Sequence, residues 1–216
     1  MIATTMAPDE LKRLTLVWVV GLLVSGWAPF DRPTWVLEVF PAVLALAIMW
    51  MTWNKLELTK LLYFLIAIHG LILMLGGAYT YARVPLGFWM QEWFGFTRNN
   101  YDKIGHFAQG FIPAIVAREL LIRVFSLTSK KLVAFLCVAI CLAVSALYEI
   151  FEWWSALWLG QGADAFLGTQ GDPWDTQSDM FFALIGSVVG LALLSRWHDR
   201  KIAILPSAGG DPATSA

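Results

Sequence analysis

Six ionisable residues near the ends of apolar segments are the side chains in this sequence best suited to chemistry. In chain order they are Asp102, His106, Glu149, Glu152, Asp175 and Asp179. Asp102 and His106 stand four residues apart in Tyr101–Gln109, so a helix there would place both on one face. Carboxylates and an imidazole can ligate a metal ion or act as general acids and bases.

The elements that position these residues are membrane helices. The 216 residues are 58% hydrophobic and 14% charged, with a mean hydropathy of +0.64, whereas a soluble domain carries charge on roughly a quarter of its residues. Long apolar runs between short polar segments therefore predict a multi-pass membrane protein. The net charge of -1 and the lack of a basic stripe exclude nucleic acid as a partner.

The apolar runs predict an all-α integral membrane protein with a bundle of six transmembrane helices. The expected spans are residues 14–30, 35–53, 61–81, 103–125, 132–159 and 177–197. They form a single membrane domain, 14–197, preceded by a short cytoplasmic segment, 1–13, and followed by a cytoplasmic tail, 198–216, that we expect to be disordered. The connection before the fourth span holds an amphipathic group, 88–94, expected to form a short interfacial helix.

The basic residues predict the orientation of this bundle. Only Arg32, Arg83, Arg98 and Lys103 would lie on the outer side, and the other eleven of the fifteen Lys and Arg on the inner side. The positive-inside rule then places both termini in the cytoplasm of a bacterium, with the chain in the inner membrane. The fourth, fifth and sixth spans consequently bring all six ionisable residues to one depth, just inside the outer face of the lipid bilayer.

On each of these helices, small residues lie on the same face as the polar side chains. Asp102 and His106 are followed by Gly110, Pro113 and Ala117; Glu149 is preceded by Ser145, Cys141 and Cys137; Asp179 is followed by Ala183, Gly186 and Gly190. Small residues mark helix–helix contacts in membranes, so the acids are expected to face protein. The two cysteines lie four apart on one helix, which is poor geometry for a bridge, and are expected to be free.

Five carboxylates and one imidazole cannot all be charged and buried without compensation. Some could carry protons, Arg83, Arg98 or Lys103 could pair with them, or a divalent cation such as Zn, Mn, Mg or Ca could bind. All six residues are therefore candidate metal ligands, and His106, Glu149 and Asp179 are the candidates for catalysis. The same three basic residues are candidates for contact with a head group or phosphate.

Simpler interpretations exist for several of these residues. Asp102 and Asp175 stand where helix N-caps are expected, and Glu152 could face water at the interface. His69, alone near the middle of the third span, is expected to make a hydrogen-bonded packing contact. On the inner side, Arg118 and Glu119 are expected to pair, and His198 is expected to be solvated.

Three motifs carry a resemblance over about residues 14–197. They are GHFAQGFIPAIVARE, YEIFEWW and GDPWDTQSDM, and with them the chain resembles the YjdF-type bacterial inner-membrane proteins. That resemblance implies the fold and no particular reaction. The second half is also similar to VanZ-like membrane proteins, which are associated with glycopeptide resistance and the cell envelope. The matching residues are Asp102, Lys103, His106, Phe107, Glu149, Asp179 and Gly186, while Ala183 and Glu152 replace an asparagine and a glutamine of that pattern.

Three functions fit this pattern. The first is an enzyme at the outer leaflet that uses the pocket, with a metal ion, on a lipid or lipid-linked head group. The second is a non-catalytic module in which the same pocket binds a ligand or joins the helices, since no nucleophile lies beside His106 in sequence. The third is a small transporter, which is less favoured because the chain lacks an internal repeat and a pair of broken helices.

Overall fold

The computed structural model describes residues 5–159 and 169–205, and these form seven α-helices. The helices are α1 (Pro8–Trp27), α2 (Arg32–Thr52), α3 (Lys60–Tyr79), α4 (Pro85–Phe94), α5 (Tyr101–Arg123), α6 (Lys130–Leu159) and α7 (Asp175–Ile202). The described part contains no strand, so the all-α prediction is confirmed. The tail is helical as far as Ile202, and its end from residue 206, where disorder was expected, lies outside the described residues.

Four helices of the described part are long and apolar enough to cross a membrane. They are α2, α3, α6 as far as Trp158, and α7, and they match the second, third, fifth and sixth predicted spans. The helices α1 and α5 carry more charge within their length, including Asp9, Glu10, Arg118 and Glu119. The described part thus has four candidate membrane-spanning helices, whereas the number six stays a prediction.

Local sequence signals explain where the helices begin and end. Proline occupies the first turn of α1, α2 and α4, where its missing N–H leaves no hydrogen bond unmade. Asp31 caps α2, since its carboxylate accepts a hydrogen bond of 2.8 Å from the Thr34 N–H. Gly95, at a φ of 68°, ends the short helix α4, which is the helix expected in the connection.

Close packing between α5 and α7 forms the centre of the bundle, and α5 also contacts α6 and α3. A Cβ atom on Gly110 would overlap the carbonyl of Ala183, and one on Gly186 would overlap the carbonyl of Phe107. The backbones therefore meet where the small-residue faces were predicted to meet. Cys141 is a buried free thiol that donates to the Gly110 carbonyl at 3.4 Å, which confirms the free-cysteine prediction.

Many large apolar side chains lie on the outside of the helices, in addition to those that fill the apolar core formed by α1, α2 and α3. Examples from four helices are Val24, Phe40, Phe135 and Leu193, each more than half exposed. Such a surface is unstable in water and well solvated by lipid tails. The polar side chains described below are by contrast enclosed between helices.

Candidate functional site

Lys103 lies at the centre of three carboxylates from α5 and α7. Its Nζ is 2.7 Å from Asp175 Oδ1, 2.8 Å from Asp179 Oδ1 and 3.3 Å from Asp102 Oδ2. All four side chains are about nine-tenths buried. Because the ammonium group occupies the point where the three carboxylates converge, this set already holds a cation.

Arg98 ties the segment before α5 to the start of α7. Its Nη2 contacts the Asp102 carboxylate and lies 2.7 Å from Asp175 Oδ1, and its Nη1 donates to the Thr169 carbonyl at 2.7 Å. Burial works against the charged guanidinium, but the neighbouring carboxylates of Asp102 and Asp175 outweigh it and hold the pKa of Arg98 above its ordinary value. Arg98 is thus a permanent cation that neutralises part of the acidic surroundings.

His106 forms a second constellation with one residue each from α6 and α7. Its Nε2 lies 3.6 Å from Asp179 Oδ1 and 3.9 Å from Glu149 Oε1, and these three ligand atoms lie within 4.8 Å of one another. Nδ1 is 2.9 Å from the Gln109 side-chain oxygen. Because that oxygen can only accept, Nδ1 carries the proton and Nε2 of the neutral ring keeps its lone pair, which is the form that ligates metals.

Glu149 is the least compensated member of this constellation. The side chain of Thr176 interacts with its carboxylate, yet Oε1 is buried and has no hydrogen-bond partner in the described part of the chain. A buried carboxylate oxygen without a partner is costly and points to a proton or a ligand at that position.

A cavity of about 150 Å³ adjoins the constellation and extends towards α2 and α3. Its walls include Glu38, His69, Tyr81, Tyr148 and Glu152, together with His106 and Asp179. Glu38 is 4% exposed and accepts a hydrogen bond of 3.0 Å from the Tyr148 hydroxyl. The cavity therefore combines the predicted site with acids and an imidazole from the first half of the chain.

Glu38, Tyr81 and Tyr148 are the residues of this region that sequence reasoning missed. Glu38 and His69 were visible as ionisable residues within apolar spans, which is a signal for function. No sequence pattern, however, places α2 and α3 beside α5. His69 does not show the expected hydrogen bond at Nε2, which is buried without a partner among the described residues.

The remaining predicted residues divide into those that join the site and those that do not. Glu152 is half-buried and lines the cavity rather than facing water alone. The N-cap interpretation of Asp102 and Asp175 is wrong, because Asn100 and Trp174 occupy the cap positions. Arg83 lies over the Phe30 ring, with its guanidinium carbon 4.0 Å from the ring centre. Since Arg98 and Lys103 are held by carboxylates, contact of these three residues with a phosphate stays a prediction.

Carboxylates outnumber cations in this region. The acids at the ion-pair layer and the cavity are Asp102, Asp172, Asp175, Asp179, Glu38, Glu149 and Glu152, and the basic residues paired with them are Arg98 and Lys103. Buried charges of one sign repel each other strongly in a medium of low dielectric constant. The excess negative charge must therefore be offset by protons or by a bound cation.

The opposite ends of α5 and α7 hold a separate buried network around Glu119. Its carboxylate accepts from the Thr59 backbone N–H at 2.9 Å and the Thr59 hydroxyl at 2.7 Å. It also lies 2.8 Å from His198 Nε2 and accepts from Arg123 at 2.6 Å. Two expectations are wrong here: Glu119 does not pair with Arg118, which contacts Asp199 instead, and His198 is fully buried rather than solvated.

Comparison with known families assigns the chain to a class of membrane proteins. The family described as "Predicted membrane protein (DUF2238)" matches residues 11–200, so the chain belongs to this membrane protein family. The chain is 50% identical over 198 residues to the inner membrane protein YjdF of Escherichia coli (strain K12), covering 92% of this chain and 95% of that protein. The predicted resemblance to YjdF-type proteins is confirmed, and the VanZ-like similarity stays a prediction. No solved structure matches the chain.

Proposed function

We propose that this chain lies in the inner membrane, with six spans, both termini in the cytoplasm and the acidic cluster at the outer ends of α5, α6 and α7. By acidic cluster we mean Asp102, His106, Glu149, Glu152, Asp175 and Asp179. The relative's description as an inner membrane protein supports the location. Helices α1 and α5 have 20 and 23 residues, which at about 1.5 Å per residue suffices for a hydrocarbon core of about 30 Å.

We further propose that His106, Glu149 and Asp179 bind one divalent metal ion. Ligand atoms around a tetrahedral zinc ion lie roughly 3.4 Å apart, given metal–ligand bonds of about 2.1 Å. The separations of 3.6 and 3.9 Å from His106 Nε2 need only a small contraction to reach this value. The Oε1 of Glu149, which has no hydrogen-bond partner among residues 5–159 and 169–205, is the single observation that carries the proposal, because a metal ion would satisfy it.

The competing set, Asp102, Asp175 and Asp179, is a poorer metal site. These carboxylates also come within metal-binding distance of one another, but Lys103 Nζ already lies between them. A metal ion there would have to displace a buried ammonium group and would leave its charge uncompensated. A metal ion bound by His106, Glu149 and Asp179 would share only one carboxylate, that of Asp179, with Lys103.

The function that this arrangement supports best is a metal-assisted reaction on a lipid or cell-envelope head group. A bound divalent ion would supply Lewis acidity and an activated water. Glu152 lines the adjoining cavity and could exchange protons with a substrate there. The cavity's 150 Å³ is below the roughly 300–1,000 Å³ of typical small-molecule sites, so it would admit the reacting part of a head group and not a whole lipid.

The experiment is elemental analysis of the purified full-length protein after growth with added zinc and manganese. We expect about one divalent ion per parent chain and a loss of most of it in His106→Ala, Glu149→Gln and Asp179→Asn. Glu92→Gln is the matched control, because Glu92 is an exposed acid on α4. A parent protein without metal, or variants that retain as much metal as the control, would overturn the metal site.

The second candidate is a non-catalytic module, and one observation favours it specifically. Lys103 on α5 bridges to Asp175 and Asp179 on α7, so part of the acidic cluster joins these helices directly. Thermal unfolding, combined with lipid analysis of cells, separates the two functions. Variants that unfold early without any change in envelope lipids would favour the module, and stable variants with altered lipids would favour the enzyme.

A further inference from the structure

A second cavity, of about 530 Å³, lies at the end of the bundle remote from the acidic cluster. We call it the basal cavity. It is formed where α5 ends, where α6 begins and along the last turns of α7, and its polar walls are Arg118, Arg123, Ser126, Thr128, Lys130 and Asp199. The volume falls within the range of small-molecule binding sites.

The polar walls of the basal cavity favour an anion. Three of its residues are basic, namely Arg118, Arg123 and Lys130, and Asp199 is the acidic one. Asp199 is already paired with Arg118 Nη2, and Arg123 is engaged with Glu119 and the Glu57 carbonyl. Lys130 is exposed at the rim, so its ammonium group is accessible to a ligand that enters the cavity.

Arg118 provides the observation that points to a ligand. Its side chain is only 7% exposed, and its Nη1 is buried without a hydrogen-bond partner in the described part of the chain. A guanidinium presents its N–H groups in a fork that fits two oxygens of one oxyanion. With Nη2 bound to Asp199, an additional oxyanion at Nη1 would complete the hydrogen bonding of this side chain.

The start of α6 adds a further favourable contribution to the same cavity. Lys130, which lines the cavity, is the first residue of this 30-residue helix. The Ser129 hydroxyl accepts a hydrogen bond from the Leu132 N–H at 3.4 Å, but the positive end of the helix dipole still stabilises anions, and phosphate in particular. The basic side chains and the helix end therefore favour the same class of ligand.

We propose that the basal cavity binds a phosphate group, carried by a phospholipid head group or by a soluble phosphate compound, with Arg118 Nη1 and Lys130 as donors. Apolar residues complete its walls, including Ile122, Leu127 and Ile202, so the ligand combines a phosphate with an apolar or uncharged remainder. This proposal is independent of the metal site and of the function proposed for the acidic cluster.

The test measures binding of two probes to the purified full-length protein. Phosphatidylglycerol retained in neutral detergent is counted by native mass spectrometry, and inorganic phosphate binding is measured by calorimetry. The variants are Arg118→Gln and Lys130→Gln, and the control is Lys131→Gln, an exposed neighbour that does not line the cavity. We expect each cavity variant to weaken binding by about tenfold, the usual effect of losing one charge-assisted hydrogen bond, and the control to bind as the parent does.

The two probes also distinguish the source of the phosphate. Retention of phosphatidylglycerol that depends on Arg118 and Lys130 identifies a lipid, and phosphate binding with the same dependence identifies a soluble compound. Since Arg118→Gln leaves Asp199 unpaired and could disturb folding, Lys130→Gln at the exposed rim provides the decisive comparison. If neither probe binds, or if Lys130→Gln binds both as tightly as Lys131→Gln does, the proposal is overturned.

Discussion

The Glu119 network and the acidic cluster lie between the same pair of helices, α5 and α7, and they treat buried carboxylates in opposite ways. In the Glu119 network, one carboxylate receives hydrogen bonds from Thr59 and Arg123 and contacts His198. In the acidic cluster, carboxylates exceed cations, and Glu149 Oε1 has no hydrogen-bond partner within the described residues. The Glu119 carboxylate is satisfied by its neighbours, although Nδ1 of the adjacent His198 has no hydrogen-bond partner among the described residues. The Glu149 carboxylate instead needs a proton or a cation from outside.

This difference distinguishes buried charges that stabilise the fold from buried charges that are available to bind a ligand. A fully satisfied buried ion pair is costly to break but has no remaining capacity for a ligand. A buried charged group that lacks hydrogen-bond partners reduces stability. Such a group is expected where a ligand or a substrate supplies the missing partners. By this criterion we expect a structural role for Glu119 and a functional role for Glu149 with His106. Lys103 is intermediate, since it satisfies three carboxylates next to the functional set.

The largest effect is expected for Glu119→Ala. The substitution removes the carboxylate that accepts hydrogen bonds from Arg123 and Thr59, and loss of one member of a buried ion pair lowers the free energy of unfolding by about 3–5 kcal/mol. Thermal unfolding followed by tryptophan fluorescence in detergent measures this, with Glu92→Ala as the exposed control. Equal unfolding temperatures for the two variants would contradict the predicted structural role of the Glu119 network.

A smaller loss, about 2–4 kcal/mol, is expected for Lys103→Gln, because three carboxylates lose the cation between them while Arg98 still neutralises Asp102 and Asp175. Added Mn²⁺ or Ca²⁺ should restore part of the unfolding temperature, since the three carboxylates then become an open cation site. The parent protein with the same ions provides the control. A variant that unfolds like the parent and does not respond to cations would show that Lys103 is not the internal cation of this set.

The smallest effect on stability is expected for Glu149→Gln. An amide removes a buried charge whose Oε1 has no hydrogen-bond partner among the described residues. With parent and variant both freed of metal by a chelator, the free energy of unfolding should therefore stay the same or rise slightly, with a change within about 1 kcal/mol. Metal retention should nevertheless fall, as described above for the same variant. A destabilisation as large as that of Glu119→Ala would erase the distinction between the two regions and favour a structural role for both.

Residue-type patterns predicted a large part of this site. Polar residues are expensive inside apolar spans, so Asp102, His106, Glu149 and Asp179 stood out against their surroundings. The spacing of Gly110, Gly186 and Gly190 indicated which helix faces meet, because only small residues allow such close backbone contact. Together these two signals predict that α5, α6 and α7 surround one polar region.

Other parts of the site depend on contacts between segments that are distant in sequence. Glu38 reaches Tyr148, 110 residues away, and Thr59 reaches Glu119, 60 residues away. His198 follows the predicted end of the sixth span, and this position predicts a solvated side chain. In the structure α7 continues to Ile202 and directs the His198 side chain towards Glu119. The residue pattern of one helix does not tell on which side a distant helix packs. Contacts such as these are therefore not predictable from the sequence pattern.

Hydropathy and the cost of buried charge act on each segment separately. The membrane class, the all-helical architecture, the family and the residues available for chemistry can therefore be predicted from the sequence alone. The tertiary structure decided how the charges are paired. It placed Lys103 among three carboxylates and left Nε2 of His106 facing Glu149 and Asp179. The physical reason is that ion pairing depends on distances of a few ångströms between different helices, which are set only when the helices pack.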